Sequence, residues 1–246
     1  MIESPVYFIS DAHLGLDDYT AEKARRDRLL AFLRDLRGKT QLLYIVGDLF
    51  DFWLEYRSVV PRQHYTVLHE LSSLIDSGTR IVYLAGNHDF WLGTFLDEQV
   101  GVKTTHGPLI VNHHGRRIYI AHGHGLIARD LGYRFLASVL HSRISIRLFQ
   151  MIHPDCGFAI GRLVSKLSRR YRKPTTWDPQ LTYQNMAFSL LDEGHDIVVF
   201  GHNHSPALLH KGEKMYINLG DWLQHNTYGV LRDGRISLER YITQTK

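Results

Sequence analysis

Five short apolar runs along the chain each end in Gly, Asp, Asn or His. Val6-Tyr-Phe-Ile-Ser10 runs into Asp11-Ala-His13, and Leu42-Leu-Tyr-Ile-Val46 into Gly47-Asp48. Arg80-Ile-Val-Tyr-Leu-Ala85 leads to Gly86-Asn87-His88-Asp89. Arg117-Ile-Tyr-Ile-Ala121 leads to His122-Gly-His124, and Ile197-Val-Val-Phe200 to Gly201-His202-Asn203-His204. Apolar runs of this length, closed by Gly and polar residues, read as buried strands with a site at their tips. The repetition of the form predicts one polar site assembled from strand ends.

Between the runs the period changes. Leu29, Leu30, Leu33 and Leu36 mark a helix over Thr20–Leu36, with Thr20 as its expected N-cap and Gly38 as its stop. Val67, Leu68, Leu71, Leu74 and Ile75 mark another over Arg62–Ser77, closed by Gly78. This βαβαβ order predicts parallel strands with right-handed crossovers. Beyond it, Val102–Thr105, Leu109–Asn112 and Arg117–Ala121 read as short strands of an antiparallel or mixed second sheet. The stretch from Ile127 to about Glu193 carries helical stripes only. Among them are Ile144, Leu148, Met151 and Ile152, and then Ile160, Leu163, Val164 and Leu167. A last helix is predicted over Pro179–Leu191. The expectation is an α/β fold: one domain over residues 1–246 with a helical insertion at about 127–176.

Composition narrows the classes. A chain of 246 residues with 44% hydrophobic content can bury a full core. No run of about 18 apolar residues suggests a transmembrane helix. Met1-Ile-Glu-Ser-Pro5 lacks the basic and apolar segments of a secretory signal. The single Cys156 cannot form an internal disulfide, in keeping with a cytoplasmic setting; it is expected to be a small buried hydrophobe. The net charge of +4 is unevenly spread: Gly125–Thr176 carries ten Lys/Arg against Asp130 and Asp155, a local +8, so the rest must carry −4. That asymmetry points to an anionic partner for the insertion. Its basic residues alternate with Leu, Ile and Phe at helical spacing, the profile of a surface for anionic lipid. A solvated basic face and a nucleic-acid surface are the other readings of that charge.

The tip residues suit a divalent cation. Asp, Asn and His are oxygen and imidazole donors, matched to Mn²⁺, Fe²⁺ or Zn²⁺ rather than to thiolate-seeking metals. Asp11-x-His13 and His202-x-His204 each place two donors on one face of an extended segment. Two cations about 3.5–4 Å apart need a bridging carboxylate, and Asp48 is the candidate. Asn87 adds a neutral donor and His122 completes a set of seven. His64, His69, His141, His195, His210 and His225 are expected to be surface or packing residues. His106, His113 and His114 are expected to be structural.

In order and spacing these motifs resemble the calcineurin-like metallophosphoesterases over nearly the whole chain. The resemblance implies a four-layer α/β/β/α sandwich, two mixed sheets flanked by helices, with a dinuclear metal site. It implies Asp11, His13, Asp48 and His204 for one metal and Asp48, Asn87, His122 and His202 for the other. His88 would then be the catalytic histidine and Asp89 its orienting partner. Within that superfamily, Ser10-Asp-Ala-His-Leu-Gly15, Gly47-Asp-Leu-Phe-Asp-Phe-Trp53, Gly86-Asn-His-Asp-Phe-Trp-Leu-Gly93 and Asp130-Leu-Gly-Tyr133 are similar to the UDP-2,3-diacylglucosamine hydrolases of lipid A biosynthesis. Those enzymes cleave a lipid-linked UDP-sugar at the cytoplasmic face of the inner membrane. Substrate contacts are expected from His124, Arg129, Asp130 and Tyr133. The likeness implies a nucleotide-linked lipid substrate, two Mn²⁺ ions, peripheral contact with an anionic membrane and no stable nucleic-acid partner. It leaves the oligomeric state open. Two departures stand out: the best-known members have Arg in place of His88, and often Asp in place of His124. They keep open a related phosphodiesterase or phosphatase with another substrate. A nuclease and a non-catalytic interaction module are further alternatives.

Overall fold

The computed structural model describes residues 3–16, 19–126, 142–170 and 178–242. Among the described residues eleven strands, numbered β1–β11 in chain order, form two sheets. The first runs β11-β10-β1-β2-β3-β4, from Arg235–Arg240, Thr227–Arg232, Val6–Ile9, Leu42–Val46, Arg80–Leu84 and Lys103–Thr105. The second runs β5-β6-β7-β9-β8, from Leu109–His113, Arg116–Ala121, Ile197–Phe200, Lys214–Asn218 and Ala207–Lys211. β1 to β4 pair in parallel, β10 joins β1 antiparallel, and β6, β7 and β9 are parallel. The strand expected over Val102–Thr105 therefore extends the first sheet instead of opening the second. The π-helical turn Leu96–Val100 and Gly101, at φ 87°, return the chain for that parallel pairing.

Strand alternation explains why the runs are apolar at every position. Val6, Phe8, Tyr44 and Val46 face Ile118, Ile120, Val199 and Ile217 across the gap between the sheets. Tyr7, Ile9, Leu43 and Ile45 face outward, under helices α1 (Tyr19–Asp35) and α2 (Tyr65–Asp76). On the far side Val198, Phe200 and Tyr216 pack beneath Tyr183, Ala187 and Leu191 of the helix Pro179–Asp192. Both faces of each central strand are covered, so neither face needs polar residues. The result is the four-layer α/β/β/α sandwich. Thr20, expected as an N-cap, lies inside the first turn of α1.

The insertion contributes two described helices, α3 (Arg143–Gln150) and α4 (Pro154–Arg170), so the Pro179–Asp192 helix is α5. Their rings meet aromatic residues of the loops that follow β2 and β3. Phe158 lies 6.2 Å from Phe52 and 5.8 Å from Tyr56, and Phe149 lies 4.9 Å from Trp91. The face of α4 that docks is Phe158, Gly161 and Ser165. Ile160, Leu163 and Val164, the more apolar stripe, are exposed. Gly161 decides this, since a Cβ there would come within 2.5 Å of the Phe52 ring. Cys156, expected to be buried, is also exposed.

Candidate metal centre

Register brings the strand tips together. Ile9 pairs with Ile45, Val46 with Leu84 and Ala121 with Phe200, so the residues that follow lie side by side. The ladder continues into the loops: Asp11 N–H donates to Gly47 O at 3.1 Å, His13 N–H to Asp48 O at 2.9 Å, and Gly201 N–H to His122 O at 3.1 Å. The backbone then turns sharply. Asp11, His13, Asp48, His202 and His204 all have left-handed φ, between 44° and 71°. Among the described residues they are five of the eight non-glycine positions in that region. Such conformations persist where surrounding structure enforces them, and they concentrate at functional sites. Glycine makes room at the closest approaches. A Cβ on Gly47 would come within 2.3 Å of His122 Nδ1, and one on Gly86 within 2.0 Å of Asp48 Oδ1.

The carboxylates are aimed by the backbone. Asp11 accepts from His202 N–H at 2.9 Å through Oδ2, and Asp48 accepts from His88 N–H at 2.9 Å through Oδ1. In each case the other oxygen is turned toward imidazoles. Asp11 Oδ1 is buried without a well-aligned hydrogen bond, 3.2 Å from His204 Nε2 and 3.6 Å from His13 Nε2. Asp48 Oδ2 lies 3.2 Å from His122 Nε2 and 3.7 Å from His13 Nε2, between the two groups. Asn87 Oδ1 is 3.1 Å from His122 Nε2. Asp11, His13 and His204 form one cluster whose donor atoms lie within 4.8 Å of one another, and Asp48, His122 and His202 form another. Carboxylate and imidazole lone pairs converge here inside the protein, and divalent cations fit that donor set.

Charge distributes unevenly among these rings. Burial opposes protonation of His13, but Asp11, Asp51 and Asp48 outweigh it and raise the ring to about 10. Burial likewise opposes charge on His122, and Asp48 and Asp11 raise it to about 9. His202 goes the other way, pushed down to about 3 by burial and by the neighbouring His122. Asp11 and Asp48 stay ionised: burial disfavours their charge, but His122 and the other imidazoles hold both well below the usual carboxylate range.

His88 and Asp89 part company. The Asp89 carboxylate accepts from Gly86 N–H at 2.7 Å, Asp48 N–H at 3.2 Å, Phe50 N–H at 3.3 Å and the Tyr83 hydroxyl. It ties the loops after β2 and β3 together and is not set against His88, whose Nδ1 meets Asp51 O and Ser165 Oγ, each at 3.1 Å. Burial and the charge of Asp48 push Asp89 up to about 6. His124 stands beside the second cluster, its ring centroid 5.4 Å from that of His122. Arg129, Asp130 and Tyr133 lie outside the described residues.

Sequence reasoning missed two buried carboxylates behind the site. Asp51 Oδ1 lies 3.4 Å from His13 Nδ1 and 3.6 Å from His88 Nδ1. Asp221 Oδ2 lies 3.5 Å from His204 Nδ1 and 3.1 Å from His225 Nδ1. Carboxylates in this position fix a ligand ring's tautomer and raise its basicity. Asp221 had a signal, since Met215-Tyr-Ile-Asn-Leu-Gly-Asp221 repeats the form of an apolar run closed by Gly-Asp. Asp51 had only its place on the loop three residues after Asp48. Of the histidines expected to lie outside the site, His64, expected at the surface or in packing, is buried against Phe50, and His113, expected to be structural, meets the Tyr44 hydroxyl at 2.8 Å.

Two packed sheets that carry Asp/His clusters at strand ends have the donor set of a metal-dependent enzyme. Residues 4–206 match the family described as calcineurin-like phosphoesterase, and the chain belongs to that family. Its relatives include proteins named UDP-2,3-diacylglucosamine hydrolase. That of Porphyromonas gingivalis W83 is 30% identical, the match covering 97% of this chain and 98% of the relative. That of Neisseria meningitidis serogroup B MC58 is also 30% identical, covering 96% and 99%. Among solved structures, a novel archaeal phosphodiesterase shares the fold with a TM-score of 0.50 at 15% identity, covering 96% of this chain and 98% of that one.

Proposed function

We propose that the chain hydrolyses the pyrophosphate of UDP-2,3-diacylglucosamine to UMP and 2,3-diacylglucosamine 1-phosphate. The observation that carries the chemistry is the pair of three-residue clusters joined through Asp48 Oδ2. The near-full-length likeness to hydrolases of that name supports the substrate. In this reading Asp11, His13, Asp48 and His204 hold one divalent cation, and Asp48, Asn87, His122 and His202 hold the other, with Mn²⁺ ahead of Fe²⁺ or Zn²⁺. When bound, the cations neutralise phosphate charge and make a bound water acidic. Hydrolysis joins a water oxygen to phosphorus and breaks the bridging P–O bond. The electron pair leaves with the departing phosphate, which takes a proton from Nε2 of the His88 imidazolium. The proton that water loses restores the ring. Burial lowers the pKa of His88, and an anionic phosphate against the ring favours its protonated form.

The same reading gives the insertion the lipid and His124, Arg129, Asp130 and Tyr133 the polar head. It places the enzyme on the cytoplasmic face of the inner membrane, held peripherally by its basic, apolar helices. Among the described residues no helix is long and apolar enough to cross a membrane. The test is a hydrolysis panel with added Mn²⁺: UDP-2,3-diacylglucosamine, UDP-N-acetylglucosamine, a cyclic nucleotide, a p-nitrophenyl phosphate diester and single-stranded DNA. Cleavage of the diacylated substrate to UMP, with kcat/KM well above the others, is expected. Equal kcat/KM for the two UDP-sugars would overturn the substrate, and preference for a diester would assign another phosphodiesterase.

A further inference from the structure

Helix α4 delivers one hydroxyl to the heart of the site. Ser165 is 7% exposed, and its Oγ lies 2.9 Å from Asp51 Oδ2 and 3.1 Å from His88 Nδ1. The protons can be assigned from acceptor chemistry alone. A carboxylate only accepts, so Ser165 Oγ–H donates to Asp51. A backbone carbonyl only accepts, so His88 Nδ1, 3.1 Å from Asp51 O, carries a hydrogen. The lone pair that Ser165 has left then faces that same N–H. Asp51 O and Ser165 Oγ share it, and Nε2 is the nitrogen left for proton transfer.

The contact is built into the way the insertion docks. Phe158, Gly161 and Ser165 recur at i, i+3 and i+7 on one face of α4. Phe158 packs on Phe52 and Tyr56, and Gly161 lets the helix backbone reach the Phe52 ring. Phe52 is the residue after Asp51, so the seating of α4 and the placing of Asp51 are one event.

We propose that Ser165 is a positioning residue for His88: carried in on the helical insertion, it shares the Nδ1 hydrogen with Asp51 O and completes the ring's orientation only while α4 is docked. This rests on the reading of His88 as the proton donor. It links chemistry to the insertion assigned to the lipid, so that a displaced α4 leaves His88 misaligned and an α4 held by substrate leaves it ready.

Ser165→Ala, Ser165→Thr and His88→Ala would be compared with the unaltered enzyme in steady-state kinetics and metal analysis. Tautomers would be read by ¹⁵N–¹H correlation of the histidine rings in Zn²⁺-loaded protein. Ser165→Ala should lower kcat roughly 10- to 100-fold, the scale of a misplaced catalytic group, with KM within about twofold. Its metal content should be unchanged, and its His88 ring signals should shift and broaden as one of the two acceptors at Nδ1–H is lost. Ser165→Thr, which keeps the hydroxyl, should recover most of the loss. The proposal is overturned if Ser165→Ala leaves kcat and the ring signals unchanged, or if its activity falls only in step with metal loss. An unimpaired His88→Ala would instead remove the underlying reading of His88.

Discussion

The Nε2 atoms of His13 and His204 face one another at 3.2 Å, although 191 residues separate them in sequence. Two imidazole lone pairs at that distance repel unless a proton or a cation lies between them. Protons and cations therefore compete for the same positions. His13, held up to about 10, and His122, held up to about 9, both carry protons at neutral pH that a cation must displace. The sign follows: affinity weakens as pH falls, by roughly tenfold per pH unit for each proton displaced. Calorimetry of Zn²⁺ or Mn²⁺ uptake in buffers of different ionisation enthalpy should register proton release between pH 6 and 8. Uptake with no buffer dependence would rule out this competition.

Asp48 is the carboxylate that the geometry puts within reach of both clusters. Its substitution should therefore disturb two cations at once. Asp48→Ala is expected to fall from two bound ions to one or none and to lose activity with them. Metal analysis of the purified variant decides it: two tightly held ions in an active Asp48→Ala protein would remove the bridging role.

His88 and its neighbour Asp89 should behave in opposite ways. His88→Ala is expected to keep its metal and lose roughly 10²–10⁴-fold in turnover, the scale of a proton-transfer group. Asp89 holds three loop N–H groups and the Tyr83 hydroxyl inside the protein. Asp89→Ala leaves those buried donors unpaired, at about 1–3 kcal/mol for each that finds no water. Its expected signature is a lowered melting temperature together with metal loss. An Asp89→Ala protein of unaltered stability would show that the loops do not depend on it.

The split between what was legible and what was not follows from physics that acts at different ranges. A strand buried on both faces must be apolar throughout, and a site at its tip needs polar residues immediately after it. Asp11, Asp48, Asn87, His122 and His202 could therefore be read from sequence as strand-end residues. Ser165 could not, because a single hydroxyl among Arg162, Val164 and Lys166 carries no periodic signal. The docking face of α4 was not legible for a related reason. Hydrophobic periodicity favours Ile160, Leu163 and Val164, but close approach to Phe52 needed the small Gly161 instead. β4 was misplaced because three residues, Lys103–Thr105, are too few to reveal which sheet they join.

The outer carboxylates give the two clusters different character. His13 and His204 are backed by Asp51 and Asp221, whereas His122 Nδ1 donates to a neutral backbone carbonyl, Val46 O, at 2.8 Å. A carboxylate behind an imidazole makes it the more basic ligand. Asp221→Asn is therefore expected to weaken one of the two ions about 10- to 100-fold and leave the other within a few-fold. Competitive titration against a chromophoric chelator resolves the two affinities. Equal weakening of both ions, or of neither, would show that the effect does not pass through His204.

On and just beyond α3, Ile144, Leu148 and Met151 are 71%, 61% and 82% exposed, a concentration of large apolar side chains on the element that also carries Arg147. Scattered single apolar residues are normal on a surface, but a basic helix with three close together has the form of an interfacial segment. Burying such side chains in a bilayer interface contributes about 0.8 kcal/mol per CH₂, reinforced by attraction of Arg to anionic headgroups. Replacing Ile144 and Leu148 together with Glu removes the apolar contribution and adds repulsion from anionic lipid. These positions are exposed, so the fold should survive, which an unchanged melting temperature would check. The double variant is expected to bind phosphatidylglycerol vesicles at least tenfold more weakly and to lose kcat/KM on vesicle-borne diacylated substrate. Hydrolysis of a water-soluble diester should stay within about twofold, because neither residue is among those proposed to hold the metals or His88. Unaltered vesicle binding would remove α3 from the membrane surface. An equal loss on both substrates would mean that the helix acts through the site and not through lipid.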